Sequence, residues 1–402
     1  MRTLYRGATL IDARGGAPVP NSAVAVDGCH IEAVGPADDF VVDPDTAVVD
    51  VTGKTIMPGL INMHDHLVYK EAIGGRPSRF LSENDVTTLT LFATRNVLKL
   101  LRRGVTTVRD MATVHGIVLA LRDAVNRGEL PGPRILACNK PISCTGGHAS
   151  HSLTIEADGP DAVRKAAREQ LKLGTDFVKV MASHDPVSMP GREKTRPEFT
   201  PSELHAAINE AHQWGKPTTC HCMGTIALRN VIEAGIDVIE HGIYLDDELA
   251  ELMASRHIYL TPTYSAYSRQ TMNPKYGRGK EWAEAHAPLV EPQTASVKAA
   301  LRAGITIVNG TDSTGRYAEE VELLRAAGMD RMESLLACTR YAAEALGLDD
   351  QIGTLEPGKL ADIVVLDSDP LADPYALEQV YLVVKEGKGF RPSDINLLLE
   401  ES

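Results

Sequence analysis

Over the first 57 residues, apolar and polar positions alternate in short runs, TLYRGATLID, SAVAVDG, CHIEAVG and TAVVDVTGKTIM, each cut by Gly or Pro. A period of two between turn residues predicts short half-buried strands. The same texture returns near the end in KLADIVVLD and QVYLVVKEG. Neither piece is large enough to bury a core alone, so residues 1–57 and 355–402 are expected to pair into one composite β-sandwich domain.

Between them the pattern changes. In LLRRGVTTVRD, LKLGTDFVKVM, IEAGIDVIEHG and LRAGITIVNGTD, a helical apolar period stops at Gly104, Gly174, Gly235 or Gly304 and a β-branched run follows. TPSELHAAINEAHQWG carries a full helix signature, with Thr200 as N-cap, Pro201 as first helical residue, Glu203 closing a capping box and Gly215 at the stop. Helix alternating with strand implies a parallel sheet. Eight candidate strands can be counted: IMPGLINMH, VTTVRDM, RILACN, DFVKVMA, PTTCHC, DVIEH, IYLTPT and ITIVNGTD. The predicted fold is therefore α/β, a (β/α)8 TIM-like barrel over residues 58–354 with the small terminal β-sandwich. An open doubly wound sheet is the alternative.

In such a barrel, reactive groups sit where strands end. Strand one ends in His64 and His66, strand four carries Lys179, strand five His221, strand six His241 and strand eight Asp312. Residues i and i+2 share a strand face, so His64 and His66 point together and Asp65 turns away. In Cys220-His221-Cys222 only the imidazole faces the axis. Four imidazoles, a carboxylate and a lysine make a donor set suited to Zn²⁺ or a similar ion. A protonated Lys179 would repel that ion. Buried in FVKVM, its amine should be partly neutral, and a neutral amine can add CO2 to become a carbamate that bridges two metals. Its plain alternative is an unmodified buried lysine, and Asp312 could merely cap the Ser313-Thr314 turn. His205 and His212 are expected on a solvated helix face, and Asp110 is expected to be a strut beneath the site.

These residues resemble the amidohydrolase superfamily with a binuclear metal centre, in the group of imidazolonepropionase-like enzymes and metal-dependent prolidases. PGLINMHDHL, GVTTVRDM, DFVKVMAS, HCMGTIALRNVIEAGIDVIEHG, NGTDS and IGTLEPGKLADIVVLD carry the likeness over nearly the whole chain. The resemblance implies that His64, His66 and Asp312 hold one metal, His221 and His241 the other, and carboxylated Lys179 both. Two divalent ions, with Zn²⁺ as the expected identity, would supply a bridging hydroxide, with Asp312 as general base and then acid. The expected reaction is hydrolysis of a C–N bond, amide, peptide or carbamate-like, in a small molecule such as an N-acyl amino acid or Xaa-Pro-like dipeptide. The alternatives are a lactonase or phosphotriesterase using the same centre, and a catalytically silent structural relative, which predicts lost ligands where all six are present.

Substrate selection falls to loops. His148, in the CTGGH segment, and Tyr244, three residues past His241, are candidate catalytic or substrate-contact groups. The related enzymes commonly follow the lysine strand with Gly-Gly, whereas this chain has Ser183-His184-Asp185-Pro186, which leaves their dipeptide specificity open. Arg192, Lys194 and Arg196 in that loop form either a carboxylate clamp or a solvated charge cluster, and the role of His184 is open.

A formal net charge of −13 disfavours nucleic acid and anionic membranes as partners. No apolar run is long enough for a signal segment or a membrane span, so a cytoplasmic protein is expected. Six scattered cysteines predict reduced thiols. A homo-oligomer is expected only from the general tendency of such barrels to associate.

Overall fold

The computed structural model describes residues 2–69, 77–150, 152–185, 196–268, 280–312 and 315–399. Both chain ends enter one sheet. Strands Arg2–Leu10, Val19–Asp27, His30–Pro36, Ala47–Asp50 and Thr55–Pro58 join Ile363–Leu366, Val380–Lys385 and Lys388–Phe390 in eight strands. The seam is the antiparallel pairing of Ile363–Leu366 with Thr55–Pro58. Tyr5, Leu10, Val24, Ile56, Ile363 and Val384 bury one another there, so the two terminal pieces share the core that neither makes alone.

The central segment alternates strand and helix as its pattern predicts. Strands β1 (Leu60–Asp65), β2 (Val105–Asp110) and β3 (Arg134–Ala137) form one parallel sheet. Strands β4 (Val178–Met181), β5 (Thr218–Met223), β6 (Val238–Ile243) and β7 (Tyr259–Thr261) run parallel in a second, extended by the short strands Ile142–Ser143 and Ile155–Glu156. Helices α1 (Val86–Arg102), α2 (Ile117–Asn126), α3 (Pro160–Lys172), α4 (Pro201–Gln213), α5 (Thr225–Ala234), α6 (Asp247–Ser255) and α7 (Val290–Ala303) connect them. The capping box on α4 is formed, with the Thr200 N–H donating to Glu203 at 2.8 Å. Gly235 and Gly304 end their helices at φ 85° and 73°, a left-handed conformation that costs a glycine nothing.

Two predicted strands come out differently. IMPGLINMH is broken at Gly59, so its first half belongs to the terminal sheet and its second half is β1. Gly59 lies so close to Thr106 that a Cβ there would fall 2.2 Å from its hydroxyl. The eighth run, ITIVNGTD, makes a single parallel bridge, Ile307 to Leu260, and is not a full strand. The chain bends at its end because the N–H groups of Thr311 and Asp312 both donate to the His64 carbonyl, at 3.1 and 2.9 Å. That bend carries Asp312 to the end of β1. The bend needs Gly310, where a Cβ would meet the His64 backbone nitrogen at 2.9 Å.

The expected single closed sheet is thus two parallel sheets in the strand pairing. Hydrogen bonds cross both gaps. The Asp176 N–H donates to the Ala137 carbonyl at 2.9 Å, and the 305–309 segment lies between β7 and β1, through Val308 N–H to Leu260 at 2.9 Å and Met63 N–H to Asn309 at 2.9 Å. The layer between strands and helices is apolar: Val178, Val180, Ile239 and Leu260 pack with Leu204, Ile208, Leu228, Val231 and Leu249. Cys220 and Cys222 lie in that cluster, which confirms that both thiols face the helices and leaves His221 on the other side. All six cysteines are free. Among the described residues no helix is long and apolar enough to cross a membrane.

Candidate metal centre

His64, His241 and Asp312 bring one ligand atom each to within 4.8 Å of one another. His66 joins them, with its Nε2 3.4 Å from Asp312 Oδ1, which also lies 3.5 Å from His64 Nε2. The His64 ring is 5.4 Å from that of His66 and 5.1 Å from that of His241, and His221 lies 4.7 Å from His241. The spacing of two at the C-terminal end of β1, with His64 on the strand and His66 one residue past it, therefore brings the two rings together. Asp65 turns away into local bonds, accepting from the His66 N–H at 2.8 Å and from Asn62 Nδ2 at 3.0 Å.

Two of the rings have their tautomer set by what lies behind them. His64 Nδ1 is 2.8 Å from Glu240 Oε2, and the other oxygen of Glu240 accepts from Arg109 Nη2 at 2.5 Å and from the Thr219 hydroxyl. A carboxylate so occupied can only accept a hydrogen bond from the imidazole, so Nδ1 donates and Nε2 faces the site. The Thr263 hydroxyl gives its one proton to the Pro262 carbonyl at 2.7 Å and can only accept from His241 Nδ1, also at 2.7 Å. His241 thus also keeps Nε2 for the site. His221 Nε2 is buried with no hydrogen-bond partner among the described residues.

Strand alternation alone would put Glu240 and His241 on opposite sides of β6. The structure brings both to His64, because His241 has φ 67° and the register beside it shifts between Cys222 and Met223. Gln293 of α7 steadies this turn, donating to the carbonyls of His241 at 3.0 Å and Pro262 at 2.7 Å. Asp312, at φ 49°, is likewise left-handed. Non-glycine residues in this region cost energy that the surrounding bonds must hold in place, and they cluster at functional sites.

Burial tunes the charges in one direction. Burial first, then the neighbouring imidazoles and Lys179, push His221 well below the usual imidazole range; burial first also lowers His241. Such rings are neutral near pH 7, so an incoming cation need not displace protons from them. Lys179, 2% exposed, has its amine lowered chiefly by burial. Asp110 is fully buried, raised well above the carboxylate range chiefly by burial, and accepts the Leu67 N–H at 2.8 Å, the work of a strut under the turn after β1. These imidazole nitrogens, the carboxylate and the orphaned His221 nitrogen fit a divalent ion.

His148 stacks on His221, with ring centres 4.1 Å apart and planes 7° from parallel, and burial pushes its pKa down to about 4. Its backbone N–H donates to the buried Glu198 at 2.5 Å, which anchors the loop beside the centre. Tyr244 is 37% exposed at φ 69°, and the tyrosine ring beside His241 is that of Tyr267, 5.6 Å away. His205 and His212 are exposed. Arg192 and Lys194 lie outside the described residues, as do Ser313 and Thr314; Arg196 is exposed and its carbonyl accepts the His184 N–H at 3.1 Å. Sequence reasoning did not single out Glu240, Arg109, Glu198, Tyr267 or His286, and named Asp185 only within the departure Ser183-His184-Asp185-Pro186, with no role of its own. Glu240 alone had a local signal, as a carboxylate beside a ligand imidazole in an apolar strand.

Replacing Glu240 with Gln is expected to lower metal affinity by about 10–100-fold, because the single amide oxygen cannot serve Arg109 and Thr219 on one side and His64 Nδ1 on the other. Chelator competition measures this, and an unchanged affinity would show that Glu240 is only a packing group.

Residues 55–389 match the Amidohydrolase family. Ochratoxinase of Aspergillus niger is 28% identical over 364 residues, covering 83% of this chain and 74% of its own. Imidazolonepropionase of Symbiobacterium thermophilum is 25% identical over 411 residues, covering 90% of this chain and 87% of its own. A solved Xaa-Pro dipeptidase with methionine bound in the active site superposes with a TM-score of 0.87 at 27% identity, covering 97% of this chain and 100% of that one. The likeness read from PGLINMHDHL, VIEHG and NGTDS is borne out, and the chain belongs to the amidohydrolase family.

Proposed function

We propose that this hydrolase, acting on C–N bonds, is a binuclear metal-dependent amidohydrolase that cleaves an amide, peptide or carbamate-like bond in a small molecule such as an N-acyl amino acid or Xaa-Pro-like dipeptide. The observation that carries this reading is the convergence of His64, His241 and Asp312 within 4.8 Å, with His66 3.4 Å from the same carboxylate. The Xaa-Pro dipeptidase among the structural relatives supports the bond class. In this reading the two parallel sheets and the 305–309 segment are one (β/α)8 barrel spanning residues 58–354. Residues 1–57 and 355–402 fold their shared sheet into a β-sandwich.

His64, His66 and Asp312 would hold one ion, His221 and His241 a second, and a carbamate on Lys179 both. The burial that lowers the Lys179 amine favours the neutral form, whose lone pair bonds to CO2 as the nitrogen loses a proton. Bound divalent ions, most simply Zn²⁺, supply an acidified water and a polarised carbonyl. Asp312 accepts the proton of the attacking water as the C–O bond forms and returns it to the nitrogen as the C–N bond breaks. Behind it, Glu240 and Thr263 keep the imidazoles of His64 and His241 oriented.

Turnover of N-acyl amino acids and dipeptides beside aryl esters, lactones and phosphotriesters tests the assignment. A higher kcat/KM on the C–N set is expected. Preference for lactones or phosphotriesters would move the chain to a different reaction.

A further inference from the structure

A second polar cluster faces the metal ligands from the loops. Asp185, 6% exposed, puts its carboxylate within 4.8 Å of ring nitrogens of both His148 and His221, and its Oδ2 is 3.2 Å from His286 Nε2. His286, 1% exposed, closes the helix Lys280–His286, and the Tyr267 ring lies 5.8 Å from it. This wall is assembled from segments a hundred residues apart.

The trio is poorly shaped as a further metal position. A nitrogen lone pair lies in its own ring plane, and the His148 and His221 rings, 4.1 Å apart and 7° from parallel, cannot both aim at one ion. One of them ligates and the other borders the space in front. Asp185 shares that border.

Resting on the hydrolase reading above, we propose that Asp185 anchors the free amino group of the substrate, so that the enzyme selects α-aminoacyl compounds with an ammonium beside the scissile carbonyl over their N-acylated counterparts. Three physical points support it. Two divalent ions repel an ammonium group, and a carboxylate this close to His221 offsets that repulsion. The α-nitrogen is two bonds from the scissile carbon, so its anchor must adjoin the ligands, as Asp185 does. An N-acyl group removes the positive charge from that nitrogen and leaves it one neutral N–H, so Asp185, which His286 already holds, exchanges a charge-assisted hydrogen bond for a weaker neutral one.

The test uses zinc-loaded protein and two hydroxamates that need no turnover, leucine hydroxamate and N-acetyl-leucine hydroxamate, titrated by calorimetry. Wild type is expected to bind the free amine about tenfold tighter or more, the worth of one charge-assisted hydrogen bond. Asp185→Asn should bring the two within about twofold at unchanged metal content. Asp185→Ser, should the first variant not fold, carries the same expectation. Equal binding by wild type, a retained preference in the variant, or loss of metal from a folded variant would each overturn the proposal. Failure to hydrolyse any C–N substrate would instead sink the hydrolase reading, while the hydroxamate ratio would still decide the role of Asp185.

Discussion

Asp312→Asn is expected to lower kcat by about 10²–10⁴-fold while leaving the fold and most of the metal in place. The carboxylate oxygen lies 3.4 and 3.5 Å from the Nε2 atoms of His66 and His64, so an amide of the same shape can occupy the position. What the amide loses is basicity. The proton of the attacking water then has no acceptor at that atom, and the leaving nitrogen has no donor. The backbone reason for the placement survives, because the two N–H groups that hold the bend to the His64 carbonyl do not involve the side chain. Steady-state kinetics with elemental analysis of the same sample separates the effects. Near wild-type kcat would remove Asp312 from proton transfer, and loss of metal would make it chiefly a ligand.

Lys179→Ala is expected to lose both metal and activity, with partial recovery on adding a short carboxylic acid such as propionate. The amine is buried on β4 and its pKa is lowered chiefly by that burial, which favours the neutral form that reacts with CO2. Alanine would remove the proposed bridge and leave space in which a small carboxylate could place two oxygens. An unmodified lysine mass in native protein, together with no response to any such acid, would remove the carbamate from the account. The imidazoles would then have to hold the ions with Asp312 alone.

The parts of the site legible in the sequence were those where a rule of local geometry applies without tertiary help. His64 and His66 follow a two-residue period that runs off the end of β1, and His221 is singled out by apolar thiols on either side that pack into the helix layer. The capping box of α4 follows from Thr200 and Glu203 alone. Where local rules ended, so did the reading. Alternation misplaces Glu240 relative to His241 because a left-handed residue interrupts it. ITIVNGTD has a strand's composition, but its end is pulled onto the His64 carbonyl, and that departure is what delivers Asp312. Asp185 and His286 meet through tertiary packing, which no spacing along the chain announces.

The central claim is that these residues hold two metal ions that the reaction requires. Elemental analysis of protein produced with zinc, set against its turnover of C–N substrates before and after chelation, tests it most directly. The account predicts two divalent ions per chain, activity lost with them, and activity restored when they return. Well under one ion per chain, or turnover that survives their complete removal, would contradict it.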